Sequence, residues 1–443
     1  LGANWAYVEL GWGGYWAWDP VENASFLPWL TGTAFLHSVM LQEKKDMLKV
    51  WNVSLIAITF ALTIFGTFIT RSGLISSVHS FGESTVGTYF GVFLVALIIF
   101  SAALIVWRLP LLRSANSLDA VLSREASFMF NNLVLVGAAF AVLWGTTFPM
   151  LSEVVRGQKI TVGPPFFNQV MVPIGLILLL LTGICPLIAW RKASWGNTKK
   201  NFLLPLALTL GGAAALFMAG FNDPLPLISL TICVFVASTI GMDTLRGGVA
   251  RASGARESLP VALANLVRRN KRRYGGYLIH IGVICTFVGF TGAYYNQETE
   301  AALKPGGKIS VGDYTLTFHS VKAEKPKQTL DKLTATLLVE KNGEKLGYAT
   351  PERNTYYMRD WRGEVTPQPT SEVAIRTTYK EDLYVIFASL NEDGTVTIKA
   401  HVNPLVKWLW LGGALMGVGG IVAMWPDRRE RKRFEARHAA AAA

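Results

Sequence analysis

The chain has 443 residues, of which 51% are hydrophobic and only 16% are charged, and its mean hydropathy is positive. This composition excludes an ordinary soluble domain and is typical of a protein that crosses a membrane several times. The net charge of +12 does not indicate a nucleic-acid partner, because the basic residues lie in short loops between apolar segments, where they set membrane topology.

The chain begins at Leu1, without an initiator methionine or a signal peptide. We therefore expect an N-terminally truncated fragment, with residues upstream that contribute to its function. Its three cysteines, Cys185, Cys233 and Cys285, lie in apolar segments and form no CxxC motif. They predict packing residues rather than a disulfide framework or thiol redox chemistry.

The most distinctive stretch is the aromatic run, residues 11–18, in which glycines separate four large aromatic residues: Trp12, Tyr15, Trp16 and Trp18. Clustered rings of this kind predict a flat, rigid, apolar surface with hydrogen-bond donors at its edge. Such a surface suits a large planar ligand at the membrane–water interface. The alternative is an ordinary belt of interfacial aromatic residues, but a belt requires neither the glycines nor the DPVEN sequence that follows.

Asp19, Pro20 and Glu22 predict a helix start directly after the aromatic run. An Asp at the N-cap, a Pro at the first helical position and an acidic residue at the third position form a capped N-terminus. The cap would fix the aromatic run just outside the first apolar helix.

The rest of the chain predicts an all-α polytopic membrane protein with about nine transmembrane helices. Each apolar segment is about 20 residues long, which is enough to cross a bilayer. Their approximate bounds are 23–42, 50–70, 87–108, 128–149, 170–190, 202–220, 225–245, 274–293 and 405–425.

The basic residues predict the orientation of these segments. The loops and tail on one side carry 24 Lys and Arg residues, whereas the short loops on the other side carry three. The basic side is therefore expected in the cytoplasm, and the aromatic run is expected outside. Residues 258–270 are typical of a short amphipathic helix on the cytoplasmic surface.

Residues 294–404 differ from the rest, because charged residues return and alternating runs appear at 308–318, 333–340, 373–378 and 383–389. The turn signals Asn342-Gly343 and Asp393-Gly394 separate such runs. We predict a small external β domain inserted before the last helix. The predicted organisation is the external aromatic segment 1–22, the transmembrane core 23–293, the β domain 294–404, the last span 405–425 and a basic cytoplasmic tail 426–443.

His37 in the first span and His280 in the eighth are candidate ligands, since a histidine inside a membrane helix indicates function. At about 1.5 Å per residue, both lie roughly 8–9 Å from the cytoplasmic boundary. Two histidines at one depth on different helices could bind the two faces of one haem iron. Two unrelated hydrogen-bonding histidines would give the same pattern.

His79 lies in an external loop on the side of the aromatic run. It could be an axial ligand of a haem lying there, with Arg71 meeting the propionates. The simpler interpretation is a polar loop residue and an interface anchor. The remaining histidines, His319, His401 and His438, are predicted to be ordinary surface residues.

Taken together, these residues resemble a known family. The aromatic run followed by Asp is similar to the WWD motif of haem-handling membrane proteins. The longer string GWGGYWAWDPVENASFLPW resembles the CcmF/NrfE family, the haem lyase component of the system I cytochrome c maturation machinery. The resemblance extends over essentially the whole chain, including FLHS at 35–38, GTFITRSGLISSVHSF at 66–81, GGYLIHIG at 275–282, RDWRGEVTPQPTSEVAIRTTYKEDLYVIFASL at 359–390 and NPLVKWLWLGG at 403–413.

The resemblance implies that His37 and His280 are the axial ligands of a haem b. It also implies two external histidines for the incoming haem, of which the second matches His79 and the first would lie upstream of Leu1. The sequence departs from the family pattern at Tyr15, where Trp is usual, and at Ala17, which is often aromatic. The other residues implied to contact the incoming haem are Trp12, Trp16, Trp18, Asp19 and Arg71.

The resemblance further implies a haem lyase, or cytochrome c synthetase, in a multi-protein complex of the bacterial inner membrane. A haem chaperone would deliver haem, and thiol-reductase and scaffold subunits would present apocytochrome c with its CXXCH segment. The two thiols would add across the haem vinyl groups. The haem b would take electrons from quinol and keep the iron of the substrate haem reduced. No side chain is expected to act as a nucleophile, so that the lyase supplies proximity and orientation.

Two other functions remain open on the sequence alone. A haem transporter or exporter would share the aromatic run and the ligands, but it should show a continuous polar path, and the spans contain few charges. A non-catalytic scaffold that presents haem is the second alternative, because thioether formation leaves no catalytic motif to find.

Overall fold

The computed structural model describes residues 2–75, 77, 85–114, 123–188, 195–327, 329–359 and 364–426. Within them the α-helices are α1 (Gly2–Glu9), α2 (Pro20–Lys45), α3 (Lys49–Ser72), α4 (Thr85–Leu112), α5 (Arg124–Arg156), α6 (Pro164–Ile184), α7 (Trp195–Met218), α8 (Pro224–Ala255), α9 (Leu259–Arg269), α10 (Lys271–Gly292) and α11 (Val406–Met424). Short 3₁₀ helices follow α6 at Cys185–Leu187 and α10 at Ala293–Tyr295.

Each predicted span corresponds to one of these helices, and α9 corresponds to the predicted amphipathic helix. Among the described residues, eight helices are long and apolar enough to cross a membrane: α3, α4, α5, α6, α7, α8, α10 and α11. Helix α2 has sufficient length, but it is less apolar because it includes buried polar residues such as Asn23, Thr31 and Ser38. The predicted fold class, a helical membrane protein with a β domain before its last helix, is confirmed.

Two compact units make up the chain. The first comprises Leu1–Tyr15, Leu216–Cys233 and Ala264–Ala443, and the second comprises Trp16–Ala215 and Val234–Leu263. The aromatic run is therefore shared, since Trp12 and Tyr15 belong to the first unit and Trp16 and Trp18 belong to the second.

In the first unit, ten strands form a sandwich of two antiparallel sheets. One sheet has the order β1-β10-β9-β8, and the other has the order β2-β3-β4-β6-β7, with β5 paired to β4. Large apolar side chains from both sheets, such as Phe318 and Phe387, form the core between them. The strands are β1 (Gln297–Leu303), β2 (Lys308–Val311), β3 (Tyr314–Lys327), β4 (Leu330–Lys341), β5 (Glu344–Ala349), β6 (Glu352–Arg359), β7 (Val365–Glu372), β8 (Ala374–Thr377), β9 (Glu381–Leu390) and β10 (Val396–Pro404).

The first unit also contains a close antiparallel pair of helices, α10 and α11. Their facing surfaces carry glycines at intervals of seven residues, which is two helical turns. These seam glycines are Gly275, Gly282 and Gly289 on α10, and Gly412 and Gly419 on α11. A Cβ atom at Gly282 would lie 2.7 Å from the carbonyl oxygen of Gly412, so the two backbones meet without intervening side chains.

The second unit packs α2 against α3 and α5. Leu27, Leu30 and Leu135 are buried at the centre of this contact. Polar pairs also join α2 to α3, since Ser38 donates to Asn52 and the Thr59 hydroxyl donates to that of Thr31 at 2.8 Å. Their burial is tolerated because each polar group has a partner.

Helix α1 and strands β1, β5, β6, β7 and β10 were absent from the sequence-based prediction. Strand β7 illustrates the reason, because Pro367 and Pro369 usually argue against a strand. Proline lacks the N–H that a central strand needs, but β7 is the edge of its sheet, where proline is tolerated.

Candidate functional site

Helix α2 begins with the predicted capping box, which is confirmed. The Asp19 carboxylate accepts a hydrogen bond from the backbone N–H of Val21 at 2.9 Å, and the Glu22 carboxylate accepts one from the backbone N–H of Asp19 at 3.1 Å. The Ser77 hydroxyl also donates to Asp19 at 2.6 Å. Asp19 therefore holds both the helix start and Ser77, which follows α3 in the chain.

Trp18 is the most constrained member of the aromatic run in the second unit. Its ring stacks on Phe167 with centroids 5.0 Å apart, and its indole N–H donates to the Asn168 side chain at 2.8 Å. Phe167 is buried because Gly145 on α5 leaves room for it, as a Cβ there would lie 2.7 Å from its ring. These contacts hold Trp18 at a φ of 58°, a conformation that costs of order 1–3 kcal/mol in a non-glycine residue.

Trp16 meets Trp18 edge to face, with centroids 5.6 Å apart and ring planes at 86°. The prediction of a flat shared surface was therefore wrong for this pair. Phe26, one helical turn and a half into α2, contacts both indoles and fixes their mutual angle. The two nearly perpendicular rings form an aromatic corner. One ring could stack on the face of a planar ligand while the other contacts the ligand's edge.

A cavity of about 200 Å³ lies beside Trp18 in the second unit. It is smaller than the roughly 300 Å³ at which pockets for whole drug-sized ligands begin, so it suits only part of a large ligand. The buried amide of Asn23 and the ammonium of Lys159 are polar groups in a mainly apolar wall. The lining residues are Trp18, Pro20, Asn23, Leu74, Ile75, Gly145, Thr146, Pro149, Lys159, Thr161, Val162 and Phe167.

His37 lies in α2, eight residues before Lys45. Its Nδ1 atom is 2.8 Å from the Thr33 carbonyl oxygen, and because a carbonyl only accepts, Nδ1 carries the proton. The lone pair of Nε2 is then available for a metal, which is the arrangement common in metal-bound histidines. The Phe128 ring of α5 lies 6.0 Å away, centroid to centroid.

His280 lies in α10, nine residues after Lys271. It precedes Gly282 by two residues, or about 200° around the helix, and so it lies on the face opposite the glycine seam. Gly276, one turn earlier on the face of His280, has no neighbouring atom within 4 Å of where a Cβ would be. This open space fits the edge of a macrocycle bound through His280. His37 and His280 belong to different units, so their equal depth stays a prediction.

Arg71 lies in the last turn of α3, where its side chain is exposed. The start of α4 packs closely against this turn, since a Cβ at Gly87 would lie 2.6 Å from the Arg71 carbonyl oxygen. His79 and His438 lie outside the described residues. The proposed roles of Arg71 and His79 toward an incoming haem therefore remain predictions.

Trp12 and Tyr15 occupy contrasting environments in the first unit. Trp12 is 44% exposed. Tyr15 stacks on Phe290 of α10 with centroids 6.1 Å apart and meets Trp410 of α11 edge to face. Burial raises the pKa of the Tyr15 phenol to about 12, so it stays neutral at any physiological pH.

His401 was predicted to be an ordinary surface residue, and this was wrong. Its side chain is buried in β10, where the backbone of Gly13 packs against the imidazole ring. Asn403 donates from its side-chain amide to the Gly13 carbonyl oxygen at 3.1 Å. The sequence offered no signal for this contact, because polar residues near a strand end are usually exposed.

Comparison with known proteins matches two separate stretches of the chain to family models. The family described as "Cytochrome C assembly protein" matches residues 1–76, and the family described as "CcmF C-terminal beta-sandwich" matches residues 294–404. The chain is 34% identical to the cytochrome c-type biogenesis protein CcmF of Pseudomonas aeruginosa, over 99% of the chain and 64% of that protein. It is 35% identical to CycK of Rhizobium meliloti, over 97% of the chain and 62% of that protein.

The protein NrfE of Haemophilus influenzae is 31% identical, over 98% of the chain and 65% of its own length. A solved structure titled "Cytochrome c Heme Lyase CcmF" superposes with a TM-score of 0.74 at 29% identity, and the match covers 96% of this chain and 63% of that one. The chain thus spans somewhat less than two thirds of the length of these relatives.

Proposed function

Because the chain belongs to the cytochrome c-type biogenesis family that includes CcmF, CycK and NrfE, we propose that it is a haem lyase component. Its substrates are haem and the CXXCH segment of apocytochrome c. Each cysteine thiol adds across one haem vinyl group, so that a sulfur–carbon bond forms, the thiol proton moves to the neighbouring carbon and the C=C bond becomes single. No atom leaves and no net oxidation occurs in this step.

The chain contributes position rather than a reacting side chain. Trp16 and Trp18 form a rigid corner that holds the edge of the haem, and Trp12 and Tyr15 contact another part of it. Orienting two reactants in this way can lower a barrier by roughly 7–11 kcal/mol. The cavity beside Trp18 receives a peripheral group of the haem, with Lys159 able to meet a carboxylate. Asp19 holds the aromatic corner at the start of α2. Arg71 binds the haem propionates, and His79 binds the haem iron.

The observation that carries the proposal is the state of the two membrane histidines. The Thr33 carbonyl holds His37 in the tautomer with a free Nε2, and His280 lies on the face of α10 opposite the glycine seam, one turn from the open space at Gly276. Both residues therefore fit haem ligation. A haem b held by these two histidines would supply one-electron transfer, with quinol as the proposed electron donor.

The proposed setting is the bacterial inner membrane, with the aromatic run and the β domain in the periplasm and the basic loops in the cytoplasm. The relatives come from bacteria, and the described residues contain eight apolar helices of spanning length. A haem chaperone delivers haem on the periplasmic side, and thiol-reductase and scaffold subunits present the apocytochrome.

The first experiment is a visible absorption spectrum of the detergent-purified protein, with a pyridine haemochrome assay of haem type. The variants are His37→Ala and His280→Ala, with His319→Ala as control because His319 is an exposed histidine of the β domain. We expect a b-type spectrum that is lost in either ligand variant and kept in the control. Full haem content in both ligand variants would overturn the assignment. Absence of haem from the wild type would favour a haem-presenting scaffold instead.

A further inference from the structure

The β domain has an outer face that the sandwich core does not use. On the sheet that contains β9 and β10, Leu383, Val385 and Phe387 of β9 point into the core. The residues between them point the other way, since side chains alternate along a strand. The cross-strand pairs Tyr384–His401 and Asp382–Asn403 lie on this outer face, two residues apart. These four residues are called the contact patch below.

The contact patch is covered by the start of the chain. Tyr7 of α1 is fully buried, donates from its hydroxyl to Asp382 at 3.1 Å and packs its ring 5.0 Å from that of Tyr384. Asn403 donates to the Tyr7 hydroxyl at 3.2 Å and to the Gly13 carbonyl oxygen at 3.1 Å. One asparagine thus ties α1 and the aromatic run to the same strand.

Two glycines of the aromatic run allow this close approach. Gly13 has a φ of +80°, and a Cβ there would lie 2.7 Å from Cε1 of His401. Gly11 has a φ of +66°, and its Cβ would lie 2.9 Å from the Cβ of Ser371 in β7. Both positions therefore need glycine for two reasons, the backbone conformation and the room.

We infer that the β domain positions the first half of the aromatic run for haem, with His401 and Asn403 as positioning residues. The contact patch fixes the backbone at Gly13, and the ring contacts of Tyr15 with Phe290 and Trp410 fix the next side chain. Trp12, which is 44% exposed, then extends from an anchored backbone rather than from a mobile chain. This inference rests on the proposed function, because it takes the aromatic run to be the haem-binding segment.

Anchoring matters because a flexible segment must be ordered when it binds. Each residue fixed in advance saves the conformational entropy that ordering it at the moment of binding would otherwise cost. A segment anchored at Gly13 and Tyr15 therefore binds a planar ligand more tightly than the same residues in a loose chain. The β domain contributes to haem affinity without contacting haem.

The test compares two glycine substitutions of matched backbone strain. Gly13→Ala introduces both a positive-φ penalty and a clash with His401. Gly343→Ala, in a hairpin turn of the β domain with a φ of +85°, carries the same penalty but has nothing within 4 Å of its Cβ. The third variant, Asn403→Leu, removes the amide that joins Gly13 to Tyr7 and keeps a similar volume.

Two readouts are needed, both on the detergent-purified full chain. Amide hydrogen–deuterium exchange over residues 11–15 reports whether the segment is anchored. Quenching of tryptophan fluorescence by added haemin reports haem affinity. We expect Gly13→Ala and Asn403→Leu to speed exchange in this segment and to weaken haemin binding about tenfold, whereas Gly343→Ala should match the wild type in both.

The two readouts separate the possible failures. Faster exchange with unchanged haemin affinity would overturn the positioning role. Unchanged exchange in both test variants would overturn the anchoring itself. If the wild type fails to bind haemin, the proposed function fails, and the exchange data still decide whether the contact patch anchors residues 11–15. If Gly13→Ala destabilises the whole protein, amide exchange should also become faster in α10. Asn403→Leu should leave exchange in α10 unchanged, so that its effect on residues 11–15 is local.

Discussion

Gly282 of α10 and Gly412 of α11 lie so close together that a methyl group added to either would meet the carbonyl oxygen of the other. The seam built around this contact determines which face of α10 packs against α11. His280 lies opposite to it, so the position of a candidate haem ligand depends on residues that could never bind haem themselves.

Substitution in the seam should therefore destabilise the helix pair. Gly282→Ala places a Cβ 2.7 Å from both the Gly412 carbonyl oxygen and Cγ of Met416, and overpacking of this kind costs typically 1–3 kcal/mol. We expect a lower thermal midpoint, followed by circular dichroism in detergent. Gly413→Ala is the matched control, because its Cβ meets nothing within 4 Å and alanine is the better helix former. Equal midpoints for the two variants would contradict the close packing.

The open space at Gly276, one turn from His280, leads to a second prediction, in which stability should not fall. Gly276→Leu should leave the thermal midpoint of the haem-free protein unchanged or slightly higher, since nothing lies within 4 Å and leucine favours helix. The larger side chain should nevertheless exclude a macrocycle from His280. We expect bound haem b to fall to a small fraction of the wild-type amount in the haemochrome assay. Normal haem content with the leucine in place would show that haem does not occupy this face.

Trp18 offers a test of rigidity in the aromatic corner. Asn168→Ala removes the acceptor of the Trp18 indole N–H, at a cost of about 0.5–1.5 kcal/mol for a lost hydrogen bond. The stack on Phe167 should survive, but the ring should become free to rotate. We expect a lower yield of cytochrome c in cells that depend on this protein, together with a change in the tryptophan fluorescence anisotropy. Phe26→Leu should lower the yield of cytochrome c in the same way, because Phe26 contacts both indoles of the corner. A yield that neither substitution changes would argue against a fixed indole.

His401 predicts a pH dependence for the anchored segment. Burial lowers the pKa of His401, while Glu298, whose carboxylate lies 3.5 Å from Nδ1, acts in the raising direction and Lys399 in the lowering one. Because the folded pKa lies below the ordinary value of about 6.5, the stabilisation is complete above that pH and is lost as the pH falls toward the folded pKa. Two other titratable groups belong to the contact patch. Burial raises the pKa of Tyr384 to about 12, so that it stays neutral throughout, and burial also raises the pKa of Asp382 above its ordinary value.

The measurement is exchange over residues 11–15 at about pH 7.5 and about pH 5, a window in which histidine is the side chain that ordinarily titrates. Rates are first corrected for the intrinsic effect of pH on exchange. The wild type should lose protection at the lower pH, and His401→Gln should give equal protection at both. A wild-type segment equally protected at both pH values would mean that His401 does not control it.

The sequence predicted the membrane helices well, because an apolar stretch of about 20 residues has few alternatives in a polytopic protein. Asp19, Pro20 and Glu22 also predicted their own local structure, since a capping box depends on neighbours within three residues. The β domain was predicted as a region but only partly as strands. Edge strand β7 was missed because its prolines are acceptable only in a position that the sequence does not specify.

The candidate site was harder to predict, for a physical reason. The edge-to-face geometry of Trp16 and Trp18 depends on Phe26 and Phe167, which come from two different helices. The burial of His401 depends on Gly13, almost 400 positions earlier in the chain. Local patterns carry no information about such contacts, and a histidine in a polar strand end has the same local sequence whether it is buried or exposed.

The contact between Gly13 and Asn403 joins residues that are separated by 390 positions. A ribosome adds about 5–20 residues each second, so the first aromatic residues wait on the order of 20 to 80 seconds for the strand that holds them. The aromatic run is thus among the last of the described segments to acquire its final structure. A nascent chain therefore cannot present an ordered aromatic surface until strand β10 has been synthesised, which delays the capture of a reactive cargo until the β domain has formed.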